Sequence, residues 1–181
     1  MIDKDFGERI GEDGLRFERR FAASIESVWN AVITPAGLAG WLGRATVEAR
    51  PGGRFQIDFD AENRMDGRIL ELEAPHLLVL AWHETANGTA SQHATRENDE
   101  SIVRFELTEN DPDSTTLVFT HRYIRPGEQM LGFSAGWHAH LTSLAAVLHG
   151  TLAPDREALY ERLREPYESR LSGPHEARSA L

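Results

Sequence analysis

The stretch Gly136-Trp137-His138-Ala139-His140-Leu141-Thr142-Ser143-Leu144-Ala145-Ala146-Val147-Leu148 decides the fold, because it reads as one long helix standing after a run of alternating segments. At about 100° per residue, Met130, Phe133, Trp137, Leu141, Leu144 and Leu148 fall within an arc of about 80°, the width of a core-facing stripe. Such a stripe needs an apolar surface to lie against, and the preceding residues supply it. After the turn signal Pro51-Gly52-Gly53, Phe55, Ile57 and Phe59 alternate with Arg54, Gln56, Asp58 and Asp60, the pattern of a half-buried antiparallel strand. Asn63 to Glu73, Leu77 to Trp82, Ser101 to Leu107 and Thr115 to Tyr123 read as further strands, with a long hairpin loop expected from Thr85 to Asp99.

Working outward, Leu15 to Ala22 is a first strand, with Leu15, Phe17, Arg19 and Phe21 on one face. Ser24 can cap a helix carrying Ile25, Val28, Trp29 and Val32, and Thr34-Pro35 starts a second short helix with Leu38, Trp41 and Leu42, since Thr is a preferred N-cap and Pro at the first helical position has no amide to waste. Beyond the long helix, Pro154-Asp155 can start a charged helix with Leu159, Tyr160 and Leu163 that stops near Pro166, followed by a loose tail from Ser172. The organisation expected is a polar N-terminal extension over 1–12, one domain over 13–150, and a C-terminal helix with its tail over 151–181. The run Leu77 to Trp82 is apolar on both faces, so either the Leu159/Leu163/Tyr167 segment or a second copy of the chain, as a homodimer, is expected to cover its outer side.

The absence of cysteine excludes disulfides and thiol chemistry and fits a reducing compartment. A formal charge of −10 without a cationic cluster argues against nucleic acid or an anionic membrane as partner. Without a signal-like or bilayer-length apolar run, a cytoplasmic protein is expected.

Several strings in this order carry a resemblance: Val28-Trp29, Leu38 to Trp41-Leu42, Pro51-Gly52-Gly53-Arg54-Phe55, Gly67-Arg68-Ile69-Leu70-Glu71-Leu72, Leu77 to Trp82, Leu117-Val118-Phe119-Thr120-His121, and Gly136-Trp137 with Leu141 and Leu144. Together they resemble the START-like (SRPBCC) superfamily, and within it the branch related to the C-terminal domain of the activator of heat-shock-protein-90 ATPase. The resemblance covers Leu15 to Gly150. It implies an α+β helix-grip fold: a seven-stranded curved antiparallel sheet wrapped around the long C-terminal helix, two short helices between strands 1 and 2, and a cavity between sheet and helix that often holds a small hydrophobic molecule.

Strand parity places Phe55, Ile57, Phe59, Leu78, Leu80, Trp82, Val103, Phe105, Leu107, Leu117, Phe119 and His121 on one inward face, opposite Phe133, Trp137, Leu141 and Leu144. These form the expected cavity wall, with His140 on the shoulder of the helix stripe. The resemblance implies that Trp41 is a candidate gate at the mouth. His121 has the parity to orient a ligand carbonyl or hydroxyl, since neutral imidazole both donates and accepts. Glu71 sits where the alternation slips; facing inward, it would pair with His121 for acid/base work. His138 defaults to solvent. No metal site is expected, because His138 and His140 are separated by about 200° around the helix, and no motif calls for a cofactor. Three functions follow: a non-enzymatic binder of a small hydrophobic ligand, a co-chaperone-like module with a protein partner, or a cyclase, dehydratase or hydrolase using the same cavity with His121 and Glu71.

Overall fold

Alternating inward residues assemble a single antiparallel sheet, and the long helix lies on it. The computed structural model describes residues 5–86, 89–90 and 101–172. Its elements are β1 (Glu8–Ile10), β2 (Gly14–Phe21), α1 (Ile25–Ile33), α2 (Pro35–Ala39), β3 (Arg44–Val47), β4 (Arg54–Asp58), β5 (Asn63–Glu73), β6 (Leu77–Ala86), β7 (Thr89–Ala90), β8 (Ser101–Asp111), β9 (Ser114–Arg122), α3 (Glu128–Leu148) and α4 (Arg156–Leu171). The sheet runs β1-β2-β9-β8-β6-β5-β4-β3, with β7 paired to β6. This is the α+β helix-grip architecture, but its sheet exceeds the seven strands expected. The additional strands are β1, which folds back on β2 through the turn at Gly11 (φ +62°), and the two-residue β7. A three-residue strand reading Glu-Arg-Ile is too short to show alternation.

The local signals act as their chemistry requires. Ser24 Oγ accepts from the Ser27 amide at 3.3 Å to cap α1, and Thr34 Oγ1 accepts from the Gly37 amide at 3.1 Å to cap α2, whose first residue is Pro35. The inward set is buried throughout, apart from the half-buried Phe59. Phe119 meets Trp137 at 4.3 Å between ring centroids, and Phe105 meets Phe119 at 5.1 Å, so α3 is keyed to the sheet through aromatic contacts.

In two places the back of the molecule differs from expectation. α4 does not stop at Pro166 but continues to Leu171. The proline removes one ladder bond, and the burial of Tyr167 holds the turn that follows. α4 also packs on α3, not over β6. The Tyr167 hydroxyl accepts from the Gly7 amide at 2.8 Å and is hydrogen-bonded with His138 Nδ1 at 3.0 Å, with Phe6 against both rings. His138 is therefore buried, not exposed, because α4 and the N-terminal segment cover the side of α3 that the sheet leaves open. The outer side of β6 is covered from within the sheet: Val79 lies in register between Glu71 and Arg104, Leu77 between Glu73 and Glu106, and Arg104 pairs with Glu106 at 3.0 Å. The aliphatic stems of such residues can shield an apolar neighbour, and Val79 is only 5% exposed.

No described helix is long and apolar enough to cross a membrane. Residues 1–4, most of the hairpin loop expected over Thr85 to Asp99, and the tail beyond Ser172 lie outside the described residues.

If α4 is integral to the fold, Tyr167→Phe leaves the Gly7 amide and His138 Nδ1 without a partner and lowers unfolding free energy in urea by about 1–3 kcal/mol. Unchanged stability would show that α4 is not part of the cooperative unit.

Candidate functional site

The interior divides into a filled part and an open part. A cavity of about 390 Å³ lies beside α3 along its stretch from Gly132 to His140. α3 contributes Gly132, Phe133, Gly136, Trp137, Ala139 and His140; β6 contributes Trp82 and Glu84; Leu42 follows α2. Phe59, Asp60, Asn63 and Arg64 come from the β4–β5 turn and the start of β5, and Arg156, Glu157 and Tyr160 from the start of α4.

Space for this cavity comes from the helix itself. Gly132 and Gly136 lie one turn apart on α3, and a Cβ built on Gly136 would meet no atom within 4 Å. Glycine in a helix interior is about 1 kcal/mol less favourable than alanine, so an open surface at this position is maintained against helix propensity. The rim is fixed by its own hydrogen bonds. Asn63 Nδ2 donates to Asp60 Oδ2 at 2.6 Å and the amides of Glu62 and Asn63 donate to its Oδ1, each at 2.8 Å; the side-chain bond first, then the two backbone bonds, hold the Asp60 carboxyl below the usual range. Arg156 Nη1 donates to the carbonyls of Trp41 at 2.8 Å and Leu42 at 3.0 Å, tying the start of α4 to the end of α2.

Of the residues expected to form the wall, Phe59, Trp82, Phe133, Trp137 and His140 line the cavity. Phe55, Ile57, Leu80, Val103, Phe105, Phe119, Leu141 and Leu144 lie in the filled core. Trp41 does not gate the mouth: it is 1% exposed, its indole N–H donates to the Ala31 carbonyl at 2.9 Å, and its ring packs beside Phe105 and His140.

His121 is buried and has no nitrogen to offer a ligand. Trp137 Nε1–H donates to His121 Nδ1 at 3.0 Å, and His121 Nε2 lies 3.0 Å from Ser101 Oγ. Ser101 Oγ in turn donates to the Trp82 carbonyl at 2.8 Å. Indole N–H can only donate and a carbonyl can only accept, so the relay assigns the neutral Nε2–H tautomer. Burial pushes the His121 pKa down to about 3. Glu71 cannot join it: the register shift between Ile69 and Glu71 turns the carboxylate to the exposed face, near Arg104. The acid/base pair expected from these two residues does not exist. Among the described residues, no group of His, Asp and Glu is gathered that could hold a metal ion.

Beside Asp60 and Glu157 at the rim, the cavity is faced by a buried carboxylate that the sequence reading missed, Glu84. It occupies the inward parity two residues beyond Trp82, and Trp82 Nε1–H donates to its Oε1 at 2.9 Å. Burial raises its pKa to about 7, against which the Trp82 bond acts only in part. Extending the Leu78, Leu80, Trp82 alternation by one more step would have found it. His140 is also neutral; its Nδ1–H donates to the Trp41 carbonyl at 3.2 Å, and burial brings its pKa down to about 4.

These groups set an acid limit on stability. The pKa values of His121, His138 and His140 are lowered to about 3, 4 and 4, each first of all by burial. An unfolded histidine takes up a proton below about 6.5, so the stability contributed is complete above that value and is lost as pH falls toward 4. Glu84 acts oppositely, since with a raised pKa its penalty grows as pH rises from about 4.5 to about 7. The histidines outweigh it, and unfolding free energy should fall by on the order of 2–3 kcal/mol between pH 7 and pH 5. A denaturation midpoint constant over that range would contradict these assignments.

A family model described as "Activator of Hsp90 ATPase homolog 1-like protein" matches residues 22–149. No curated protein matches the chain by sequence. Among solved structures, the protein encoded by gene BPP1335 from Bordetella parapertussis is similar with 28% identity and a TM-score of 0.71, over 94% of this chain and 93% of that one. CalU16 from Micromonospora echinospora is similar with 23% identity and a TM-score of 0.67, over 93% and 96%. PFC0360w, an HSP90 activator from Plasmodium falciparum, is similar with 21% identity and a TM-score of 0.61, over 76% and 96%. The last two likenesses are of fold alone.

Proposed function

Since the chain belongs to the family of activator of Hsp90 ATPase homolog 1-like proteins, we propose that it serves that fold's ligand-binding role, holding a small, largely apolar molecule in the cavity beside Gly136. The observation that carries this reading is an open cavity of about 390 Å³ walled by Phe59, Trp82, Phe133 and Trp137. That volume falls in the range of small-molecule sites, which are mostly apolar with a few polar groups fixing orientation. Burial against the rings supplies most of the affinity, at about 25 cal/mol per Å² of apolar surface. Glu84 and His140 supply polar atoms at defined positions. His121 acts in support, holding Trp137 in place without touching the ligand. A cytoplasmic setting suits a cysteine-free chain.

The co-chaperone reading asks for a contiguous apolar patch on the surface. The large apolar side chains exposed among the described residues are three, Tyr123, Val147 and Leu152, and Tyr123 stands apart in the chain from the other two. The enzyme reading asks for convergent acid and base groups, and the pair that would have provided them is separated.

Gly136→Phe tests the reading by filling the cavity from its floor. With 1-naphthalenemethanol as probe in isothermal titration calorimetry, wild type should bind, and the variant should lose at least about tenfold in affinity while keeping its thermal stability. Gly136→Ala should raise stability by up to about 1 kcal/mol. Equal binding by wild type and Gly136→Phe would place the ligand elsewhere.

A further inference from the structure

The rings at the cavity close on one another. Phe59 meets Trp82 at 6.4 Å between centroids, Trp82 meets Trp137 at 5.0 Å, Trp137 meets His140 at 6.0 Å, and His140 returns to Phe59 at 6.1 Å. All of these residues line the cavity, and so does Glu84, the carboxylate held by the indole N–H of Trp82. From this closed aromatic circuit with a carboxylate on its wall, we propose that the cavity selects ligands carrying a cationic nitrogen on an apolar body, an organic ammonium seated on the rings and facing Glu84. The inference rests on the ligand-binding reading above and narrows it to a chemical class.

Three features favour a cation over a neutral or anionic ligand. Aromatic faces attract cations, more strongly when water is excluded. A carboxylate in a largely apolar cavity lacks the solvation it would have in water, and a ligand cation restores the balance. The protein's own cations at the rim are tied to other acceptors than Glu84: Arg64 Nε to Asp58 Oδ1 at 3.0 Å, and Arg156 Nη1 to the carbonyls of Trp41 and Leu42, where it also lies 3.4 Å from His140 Nδ1. His140, the remaining basic group on the circuit, is neutral near pH 7, so it contributes a ring and no competing charge.

Ammonium binding then requires Glu84 to be ionised. With its pKa near 7, acidification removes the selecting charge. The other titratable or charged groups facing the cavity are Asp60 and Arg64 from the β4–β5 side, His140 from α3, and Arg156, Glu157 and Tyr160 from α4. Of these, Asp60 is held below the usual carboxylate range, and His140 titrates near 4.

The test compares 1-naphthylmethylamine with 1-naphthalenemethanol, a pair of nearly equal shape that differs in charge, by isothermal titration calorimetry on the full chain. At pH 8.5 the amine should bind wild type at least about tenfold more tightly than the alcohol. Lowering the pH to 5.5 should weaken the amine by roughly tenfold or more, in proportion to the ionised fraction of Glu84, while leaving the alcohol little changed. In Glu84→Gln the amine-to-alcohol affinity ratio should fall toward one, and its pH dependence should disappear. If wild type binds both probes alike, ammonium selectivity is wrong; if the ratio survives in Glu84→Gln, Glu84 is not its source and the proposal is overturned; in either case the cavity reading stands. If neither probe binds wild type, the cavity reading fails and this inference fails with it.

Discussion

The hydrogen bond from Trp137 Nε1 to His121 Nδ1 is the interaction on which the interior is arranged. It crosses from α3 to β9 at 3.0 Å and is continued by His121 to Ser101 and by Ser101 to the Trp82 carbonyl. One buried relay thus connects the helix with three strands of the sheet, β9, β8 and β6. Each polar group along it has a partner, as burial demands. The relay also sets the plane of Trp137, whose ring lies against Phe119 on the core side and Trp82 on the cavity side. Trp137 is therefore the boundary between filled core and open cavity.

Once that boundary is fixed, the rest of the cavity depends on what α3 withholds. A larger side chain in place of Gly136 would project into open space, so the missing Cβ preserves the volume that the aromatic walls enclose. α4 makes the complementary contribution. Its first turn closes the rim through Arg156, and its later turns bury Leu163 and Tyr167 against the back of α3. A helix that presents its sheet side to the core and its other side to α4 has little solvent-facing surface. This is why α3 buries Gln129, Ser134, His138 and Ser143 along with its apolar residues.

What was legible in the sequence was what short-range chemistry decides. Ser24 and Thr34-Pro35 mark their helix starts because a cap acts within three residues. The inward parity from Phe55 to His121 was readable because a strand repeats every two residues. The long helix and the family resemblance followed from the same patterns, and the match over residues 22–149 bears that resemblance out. Long-range partners were not legible. His121 looked available because Ser101 lies 20 residues away and Trp137 another 16 in the opposite direction. Glu71 was ambiguous because a bulge reverses parity without a sequence signature. His138 looked exposed, and the partner of Leu163 and Tyr167 was misassigned to β6, because amphipathic spacing says that a face is covered and not by what. Glu84 was missed for a different reason: the polar run His83-Glu84-Thr85 reads as a strand end, although β6 continues through it to Ala86.

The most direct test of this arrangement is the nitrogen-15 NMR spectrum of the His121 imidazole, assigned by comparison with His121→Gln and followed from pH 7.5 to pH 4.5. A neutral Nε2–H tautomer whose shifts stay constant across that range is the predicted result, since the ring is buried with both nitrogens engaged and its pKa lies near 3. A ring that titrates near 6.5, or that carries its proton on Nδ1, would contradict the relay and with it the placement of Trp137 at the edge of the cavity.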